Sequence, residues 1–403
     1  MIRIRFIEIL NYRSCIATKI DFGTDLTTLI GINGVGKSNI MNSIQLLKQI
    51  NRNRYFHQQH LKNTLPHTNL NIKLEIDNVL YHLKSDIYYD TDETNSEEVY
   101  SAEIRLRNLS KKSRRWLEID SELFEFVHYI SKTNKNVEIV KGFSHKNYNL
   151  DEARFAVRII NYLTNISYYS ATQFSDPTRS PISLELEDSR LSRPFRRSRA
   201  HELFIYDLYK AFKSDNKSFT RYLNTVNNNG IGLIDDITFL EHNIPSSLYK
   251  VKAGGKIEKI EKTKMMIVPS LILDGLSLSP NQLSEGTFKT LALVFYILND
   301  ESELLLIEEP EVCVHHGLLN SIIELIKTQS KYKQIIISTH SDYVLDKLKP
   351  ENVILIKKDK IKGTIANSLT KTLSKNDFKA LKDYLKESGN LGEYWKEGGF
   401  DNE

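Results

Sequence analysis

Cysteine is scarce in this chain of 403 residues, which holds only Cys15 and Cys313. Two cysteines exclude a disulfide framework and a four-cysteine zinc site, and they fit a reducing cytoplasm. Long apolar runs are also missing, because the longest, Leu291–Leu298, is far shorter than the about 20 residues of a membrane helix. The first ten residues alternate charged with apolar side chains, as a strand does and a signal peptide does not. We therefore expect a cytoplasmic protein without a membrane segment.

Neither sign of charge dominates, since 55 basic residues face 51 acidic ones and the formal net charge is +4. This balance excludes a protein that is basic throughout, so any nucleic-acid surface has to be a local patch. Apolar residues make up 40% of the chain and aromatic residues 10%, which is enough to bury a core and excludes wholesale disorder. The length predicts either two domains or one large domain with an insertion.

A glycine-rich octet follows a short apolar run at 26–30, and residues 38–50 after it show helical spacing. The octet fits the pattern G-x-x-x-x-G-K-S, in which the amides of a loop between a strand and a helix bind phosphates. Lys37 would reach the β- and γ-phosphates, and the Ser38 hydroxyl would ligate Mg²⁺. A glycine turn that binds nothing is the alternative. The expected nucleotide contacts are Gly31, Ile32, Asn33, Gly34, Val35, Gly36, Lys37, Ser38 and Asn39.

A second apolar run, at 304–307, ends in the acidic sequence Glu308-Glu309-Pro310-Glu311. The carboxyl ends of the strands in a parallel sheet face the ligand, so these carboxylates are expected at the same crevice as the octet. Glu308 is the candidate for the magnesium shell, and Glu309 is the candidate base that orients or deprotonates the attacking water. A solvated acidic helix start is the alternative, because Pro310 suits a first helical position.

Two further motifs narrow the class. Residues 282–287 read Gln-Leu-Ser-Glu-Gly-Thr, and an apolar run at 334–338 leads into Ser-Thr-His-Ser with His340. The order of phosphate loop, L-S-x-G signature, acidic strand and strand-end histidine resembles the ABC-type ATPases of the SMC/RecF/OLD-like branch. The Leu-Asn-Tyr-Arg-Ser opening at 10–14 and the Ile-Glu-Glu-Pro-Glu box resemble the OLD-like ATPases of phage-defence systems in particular. The resemblance is strong over 1–50 and 265–345.

The resemblance implies roles for further residues. Ser284 and Gly286 would contact the γ-phosphate of an ATP held by the opposite subunit, so that two ATP molecules lie between head-to-tail subunits. His340 would contact the γ-phosphate and sense its loss. Gln173 is the candidate for the glutamine that links the metal to the helical lobe, although a surface glutamine is the alternative, and Arg13 is counted among the nucleotide contacts.

Short apolar strands alternate with helical segments at both ends of the chain, which predicts an α/β fold with a parallel or mixed sheet. Between them, residues 69–120 alternate like an antiparallel β-subdomain, and no heptad repeat is sustained that would give a coiled coil. We therefore predict three parts: an N-terminal part of the ATPase lobe, a helical insertion with an arginine-rich segment, and a C-terminal part of the ATPase lobe, which comprise residues 1–175, 176–245 and 246–403.

Five arginines in the insertion form the sharpest cluster outside the motifs. Arginine binds phosphate backbones bidentately, but charge runs alone are weak evidence, so nucleic acid, a partner protein and a solvated loop all stay open. The cluster comprises Arg190, Arg193, Arg196, Arg197 and Arg199.

These observations predict a Mg²⁺-dependent ATPase, and the resemblance implies that it acts as a homodimer or a higher homo-oligomer. The resemblance implies the sensor or regulatory subunit of an antiphage system whose effector, a nuclease or a toxin, is a separate protein. The segment after His340 has no Asp-x-Asp pair, so we expect no Toprim nuclease domain in this chain. The alternatives are a RecF-like DNA-repair ATPase and a nucleotide-gated scaffold with little turnover. A transporter subunit is disfavoured by the long insertion.

Overall fold

The computed structural model describes residues 1–23, 25–49, 65–92, 97–110, 116–119, 150–187, 200–214, 216–251, 257–312, 314, 316–387 and 389–400. The chain divides into two units. The first comprises Met1–Tyr168, Glu301–Glu309 and Ile326–Glu403, and the second comprises Tyr169–Asp300 and Pro310–Leu325. The boundaries at 175 and 245 that the sequence suggests stay a prediction. In the part of the chain that the structure describes, no helix is both long and apolar enough to cross a membrane.

The described residues form sixteen strands and ten α-helices. The strands are β1 (Ile2–Tyr12), β2 (Cys15–Asp21), β3 (Leu26–Ile30), β4 (His67–Ile76), β5 (Val79–Asp92), β6 (Glu97–Asn108), β7 (Leu117–Ile119), β8 (Ser167–Ser170), β9 (Leu184–Glu187), β10 (Asp236–Val251), β11 (Ile257–Leu273), β12 (Leu276–Leu278), β13 (Leu304–Glu308), β14 (Gln334–Thr339), β15 (Val353–Asp359) and β16 (Gly363–Ser368). The helices are α1 (Lys37–Gln49), α2 (Leu150–Thr164), α3 (Ala200–Ser214), α4 (Asn216–Val226), α5 (Glu285–Asn299), α6 (His316–Gln329), α7 (Asp342–Asp346), α8 (Leu369–Thr372), α9 (Lys375–Lys386) and α10 (Leu391–Lys396).

A twelve-stranded mixed sheet runs in the order β7-β6-β5-β4-β1-β2-β16-β15-β3-β14-β13-β8. Its parallel part places β3 between β14 and β15, with β13 on the other side of β14. All residues of β3 and β14 are buried, as expected for strands covered on both faces. The predicted mixed α/β fold is confirmed.

The antiparallel part of the sheet is formed by β1, β2 and β4–β7. Buried and exposed residues alternate along β4, because one face packs on a core and the other does not. The core beneath it includes Leu74 and Leu83 from the sheet, Ile44 from α1 and Ile159 from α2. The β-subdomain predicted from residues 69–120 is therefore present as an extension of the main sheet.

The second unit contains a four-stranded sheet in which β11 pairs with β9, β10 and β12. The helices α3, α4 and α5 supply an aromatic core, with Phe204 near Phe288 and Phe295 at ring distances of 5.5 and 5.7 Å. The region 176–245 was expected to be helical, but β9 and the first part of β10 are strands. The ribbon of β10 and β11 pairs from Asp236–Ile272 to Val251–Ile257. The helical reading was wrong there because exposed residues follow one another from Leu240 to Pro245, so the alternation that marks a half-buried strand is absent.

Candidate nucleotide site

The glycine-rich octet forms the turn between β3 and α1. Gly34 and Gly36 adopt left-handed backbone conformations, with φ of +81° and +107°. A Cβ atom on Gly36 would lie 2.1 Å from Thr364 Oγ1 and 2.6 Å from Ser14 Oγ. Both the backbone angle and the close approach therefore require glycine at position 36.

A network of side-chain hydrogen bonds holds the loop against β16. Thr364 Oγ1 donates to Val35 O at 2.9 Å and lies 2.8 Å from Ser14 Oγ. Asn39 Nδ2 donates to the same Ser14 oxygen at 2.7 Å. The network joins β16 to the start of α1 and to the turn between β1 and β2. Sequence reasoning missed Ser14 and Thr364, because neither lies in a phosphate-binding motif.

Lys37 points into the loop and is almost entirely buried. Its ammonium donates to Gly31 O at 2.7 Å and to Ile32 O at 3.1 Å. A buried lysine needs such partners, because an unpaired charge is costly away from water. The exposed side of the loop is formed by Ile32, Asn33 and Gly34. The ammonium thus lies within the loop, where its positive charge suits a phosphate group.

Ser38 and Glu308 contact each other, although they are far apart in sequence. Ser38 Oγ donates to Glu308 Oε1, and the hydroxyl of Tyr168 donates to Glu308 Oε2. A hydroxyl and a carboxylate are the hard oxygen ligands that Mg²⁺ prefers, so the pair fits the metal. Tyr168 was not predicted as a site residue, because its only signal in the sequence is its place in a short β-rich run.

Glu309 lies just beyond β13 in a left-handed conformation, with φ of +49°. Its amide donates to Ser338 O at 2.8 Å, and its Oε1 lies 3.3 Å from His340 Nδ1. The side chains of Glu309 and His340 are 30% and 42% exposed, so water reaches both. The backbone turn at Glu309 separates the two carboxylates, because it directs Glu309 towards His340 while Glu308 contacts Ser38.

The signature segment lies in the second unit, where Ser284 is the N-cap of α5. Its hydroxyl oxygen accepts from Thr287 N at 3.1 Å, and Gly286 lies in the first turn of the helix. The amides at this helix start therefore combine with a positive helix dipole, which suits an anion.

Gln173 also lies in the second unit, exposed in a 3-10 turn at Ala171–Phe174. Arg13, in the first unit, has φ of +50° and places its guanidinium 5.5 Å from the Tyr12 ring. The structure thus links Ser38, Glu308, Glu309 and His340 within the first unit. The roles of Gln173 and Arg13 stay predictions. The arginine cluster of 190–199 lies outside the described residues.

A phosphate-type loop after a buried strand, beside an acidic strand end in a mixed α/β sheet, defines the P-loop ATPase class of domains. The chain belongs to the family described as "AAA domain, putative AbiEii toxin, Type IV TA system", whose model matches residues 26–346. No curated protein matches the sequence.

Several solved structures are similar at low identity. The SMC head domain from Thermotoga maritima matches with a TM-score of 0.42 and 12% identity, over 91% of this chain and 99% of that chain. An SmcHead bound to the C-winged helix domain of ScpA matches with a TM-score of 0.47 and 14% identity, over 92% and 99%. An Smc head domain with an extended coiled coil, bound to the C-terminal domain of ScpA derived from Pyrococcus furiosus, matches with 0.45 and 12%, over 96% and 100%. At these identities and TM-scores the likeness is distant.

Proposed function

We propose that this protein binds and hydrolyses Mg-ATP at the loop between β3 and α1. The observation that supports this most directly is the contact of Ser38 with Glu308. It joins the end of the phosphate loop to the acidic end of β13, as a metal-assisted phosphate site requires. The Lys37 ammonium, held inside the same loop, supplies the positive charge for the phosphates.

Each residue then has a separate task. The loop amides and Lys37 bind and orient the phosphates, and Ser38 and Glu308 would hold Mg²⁺. The bound metal ion would offset the negative charge of the phosphates. Glu309 accepts a proton from the water whose oxygen attacks the γ-phosphorus, while the bond to ADP breaks. His340 lies beside Glu309 and would sense whether the γ-phosphate is present.

We further propose that two chains act together, as a dimer or within a larger homo-oligomer. Ser284 and Gly286 would meet the γ-phosphate of the ATP in the opposite subunit. The support is the helix start at Ser284, because the N-terminus of a helix carries a positive dipole that suits an anion. A separate effector, a nuclease or a toxin, and an antiphage setting belong to the same proposal and rest on the motif resemblance. The three-part division at residues 175 and 245 is retained as a proposal.

The test is phosphate release from Mg-ATP by the purified chain, together with its mass by light scattering. Wild type should turn over ATP and gain mass with Mg-ATP, whereas Lys37→Ala should do neither, because the loop loses its only side-chain ammonium. Lys375→Ala, on the exposed face of α9, removes the same charge away from the site and should behave like wild type. If the wild-type protein binds ATP but does not hydrolyse it, the protein is a nucleotide-gated scaffold and the proposed hydrolysis is wrong.

A further inference from the structure

The outer face of the antiparallel strands carries a row of side chains that no nucleotide role uses. Lys73 of β4 lies opposite His82 of β5, and His82 lies opposite Arg107 of β6. Because opposite residues of neighbouring strands point to the same face, these three lie side by side. The core residues Leu74, Leu83 and Leu106, next along each strand, are buried on the other face. The row therefore belongs to the face that does not pack on the core.

Two aromatic rings lie within this row. Trp116 has the Arg107 guanidinium 4.7 Å and the Lys84 ammonium 5.4 Å from its ring centroid, and the His82 ring meets it edge-on at 5.1 Å. At the other end of the row, the Lys73 ammonium lies 5.0 Å from the Phe6 ring. We call these residues the basic–aromatic face, which comprises Phe6, Lys73, His82, Lys84, Arg107 and Trp116.

The cations of this face differ from their neighbours in how they are paired. Arg5 contacts Glu75 at 2.6 Å and Arg105 contacts Asp86 at 2.8 Å. Lys73, Lys84 and Arg107 have no carboxylate partner among the described residues, and the Nε atom of Arg107 is buried without an acceptor there. Among the described residues, these three cations contact aromatic rings. The face thus presents uncompensated positive charge beside planar apolar surface.

The titration of His82 agrees with that charge distribution. Burial lowers the pKa of His82, and the charges of Lys84, Arg107 and Lys73 lower it further, whereas Glu8 raises it. An imidazole in this position is neutral near pH 7, so it offers a ring for stacking without adding to the repulsion among the three cations. An anion bound at the face would favour its protonation.

We propose that the basic–aromatic face binds single-stranded nucleic acid, with phosphates at Lys73, Lys84 and Arg107 and bases against Trp116, His82 and Phe6. Cations hold phosphates of any sequence, and aromatic side chains stack with unpaired bases. A sheet face that carries both and is partly accessible to solvent is a surface on which single strands are recognised. A duplex keeps its base faces stacked inside, so it would use the cations alone. None of these residues belongs to the ATP site, so binding at this face is independent of the proposed function.

The test measures fluorescence anisotropy of labelled oligonucleotides about 20 nucleotides long with the full chain and no ATP, over a range of salt concentrations. The probes are oligo-dT, oligo-rU and a duplex of equal length. Lys84→Ala with Arg107→Ala should weaken binding and lower the slope of log K against log salt by about 1.4, at about 0.7 per phosphate contact. The matched control is Lys375→Ala with Lys379→Ala, which removes two exposed charges from α9 and should change neither quantity. Single strands should bind more tightly than the duplex, and the two single strands identify the preferred sugar.

Substitutions of Trp116 distinguish the contribution of base stacking to binding from the contribution of charge. Trp116→Ala should weaken single-strand binding at least about fivefold with the salt slope unchanged, and Trp116→Phe should restore most of the affinity. Lys73 is exposed, so Lys73→Ala tests the face even if the double variant unfolds. Absence of binding by wild type, equal affinity for the duplex, or an unchanged affinity in Trp116→Ala would each overturn the proposal. Competition by an acidic peptide at equal charge concentration, without any effect of Trp116→Ala, would assign the face to a protein partner instead.

Discussion

At the residue scale, Glu309 shows how one backbone angle divides the work of two adjacent carboxylates. A residue with a side chain pays about 1–2 kcal/mol for the left-handed region, and Glu309 occupies it with φ of +49°. Two contacts offset this conformational free energy. The Glu309 amide still donates to Ser338 O of the neighbouring strand, and the Glu309 carboxylate lies beside His340. Strain at such a position points to a functional constraint.

Substitution of Glu309 should therefore separate stability from turnover. Glu309→Gly and Glu309→Ala both remove the carboxylate, and both should lose at least about 10² in ATP turnover. Only glycine relieves the backbone, so Glu309→Gly should be about 1 kcal/mol more stable than Glu309→Ala, as measured by urea unfolding. In an ordinary helix the order is the reverse. Equal stability of the two variants would show that the angle is not a constraint.

Glu309→Gln tests the base itself, since it keeps the size and the hydrogen bonding of the side chain. The variant should bind Mg-ATP, turn it over at least about 10²-fold more slowly and accumulate as the ATP-bound oligomer, read by light scattering. Glu308→Gln, at the neighbouring position, should instead weaken Mg²⁺-dependent binding. Near wild-type turnover by Glu309→Gln would assign the base to another group.

Tyr168 should tune the metal position through Glu308. Tyr168→Phe removes the hydroxyl that donates to Glu308 Oε2 and leaves the ring in place. Loss of such a supporting hydrogen bond weakens metal affinity by about tenfold or more, so the Mg²⁺ concentration for half-maximal ATP binding should rise by that factor. Tyr88→Phe, an exposed tyrosine of β5, is the control and should change nothing. A lower melting temperature without a shift in Mg²⁺ dependence would reduce Tyr168 to a structural residue.

The sequence predicts part of this site and misses the rest for a physical reason. Lys37, Ser38 and Glu308 belong to motifs that correspond to a local turn or a strand end. Each of these motifs can therefore be recognised in the sequence without knowledge of the tertiary structure. Tyr168 and Thr364 act only through contacts that the folded sheet creates. In the sequence, a tyrosine in a strand or a threonine in a polar hairpin carries no sign of whether it makes such contacts.

At the element scale, β16 serves as the floor of the phosphate loop. Thr364 is fully buried, and its hydroxyl is the partner of Val35 O. Thr364→Val keeps the shape but leaves that carbonyl without its donor, which costs about 1–3 kcal/mol and should weaken ATP binding by loosening the loop. Thr364→Ser keeps the hydroxyl and should retain binding. Thermal melting and ATP titration measure the two effects, and a Thr364→Val variant that binds like wild type would exclude the supporting role.

The burial of a strand also decides whether the sequence predicts it. The strands β3, β13 and β14 are rich in Leu and Ile and almost wholly buried, so their short runs predict them directly. The strand β16 is not recognisable in this way, because Gly363–Ser368 holds mostly small and polar residues. The ribbon of β10 and β11 exposes Leu240 and Ile244 beside polar neighbours, so no alternation reveals it.

At the scale of the whole molecule, the proposed assembly can be tested at the capped start of α5. Ser284→Asp keeps an N-cap acceptor, and acidic residues suit a helix start, so the fold should be at least as stable as wild type. The added charge would repel a phosphate arriving from a second subunit, so ATP-dependent mass gain and turnover should both be lost while ATP still binds. Asn229→Asp, in an exposed loop, is the control. Unchanged turnover in Ser284→Asp would refute the shared site.

The position of β3 in the sheet also sets the order in which the protein is completed during synthesis. The strand that leads into the phosphate loop has only two neighbours, β14 and β15, and both lie beyond residue 333. While the ribosome makes the chain before residue 334, the antiparallel strands β1, β2 and β4–β7 can pair among themselves. During that time β3 has no partner strand on either edge. A chain that stops before residue 334 therefore lacks both neighbours of β3, and it carries the whole phosphate motif in its sequence without the proposed site.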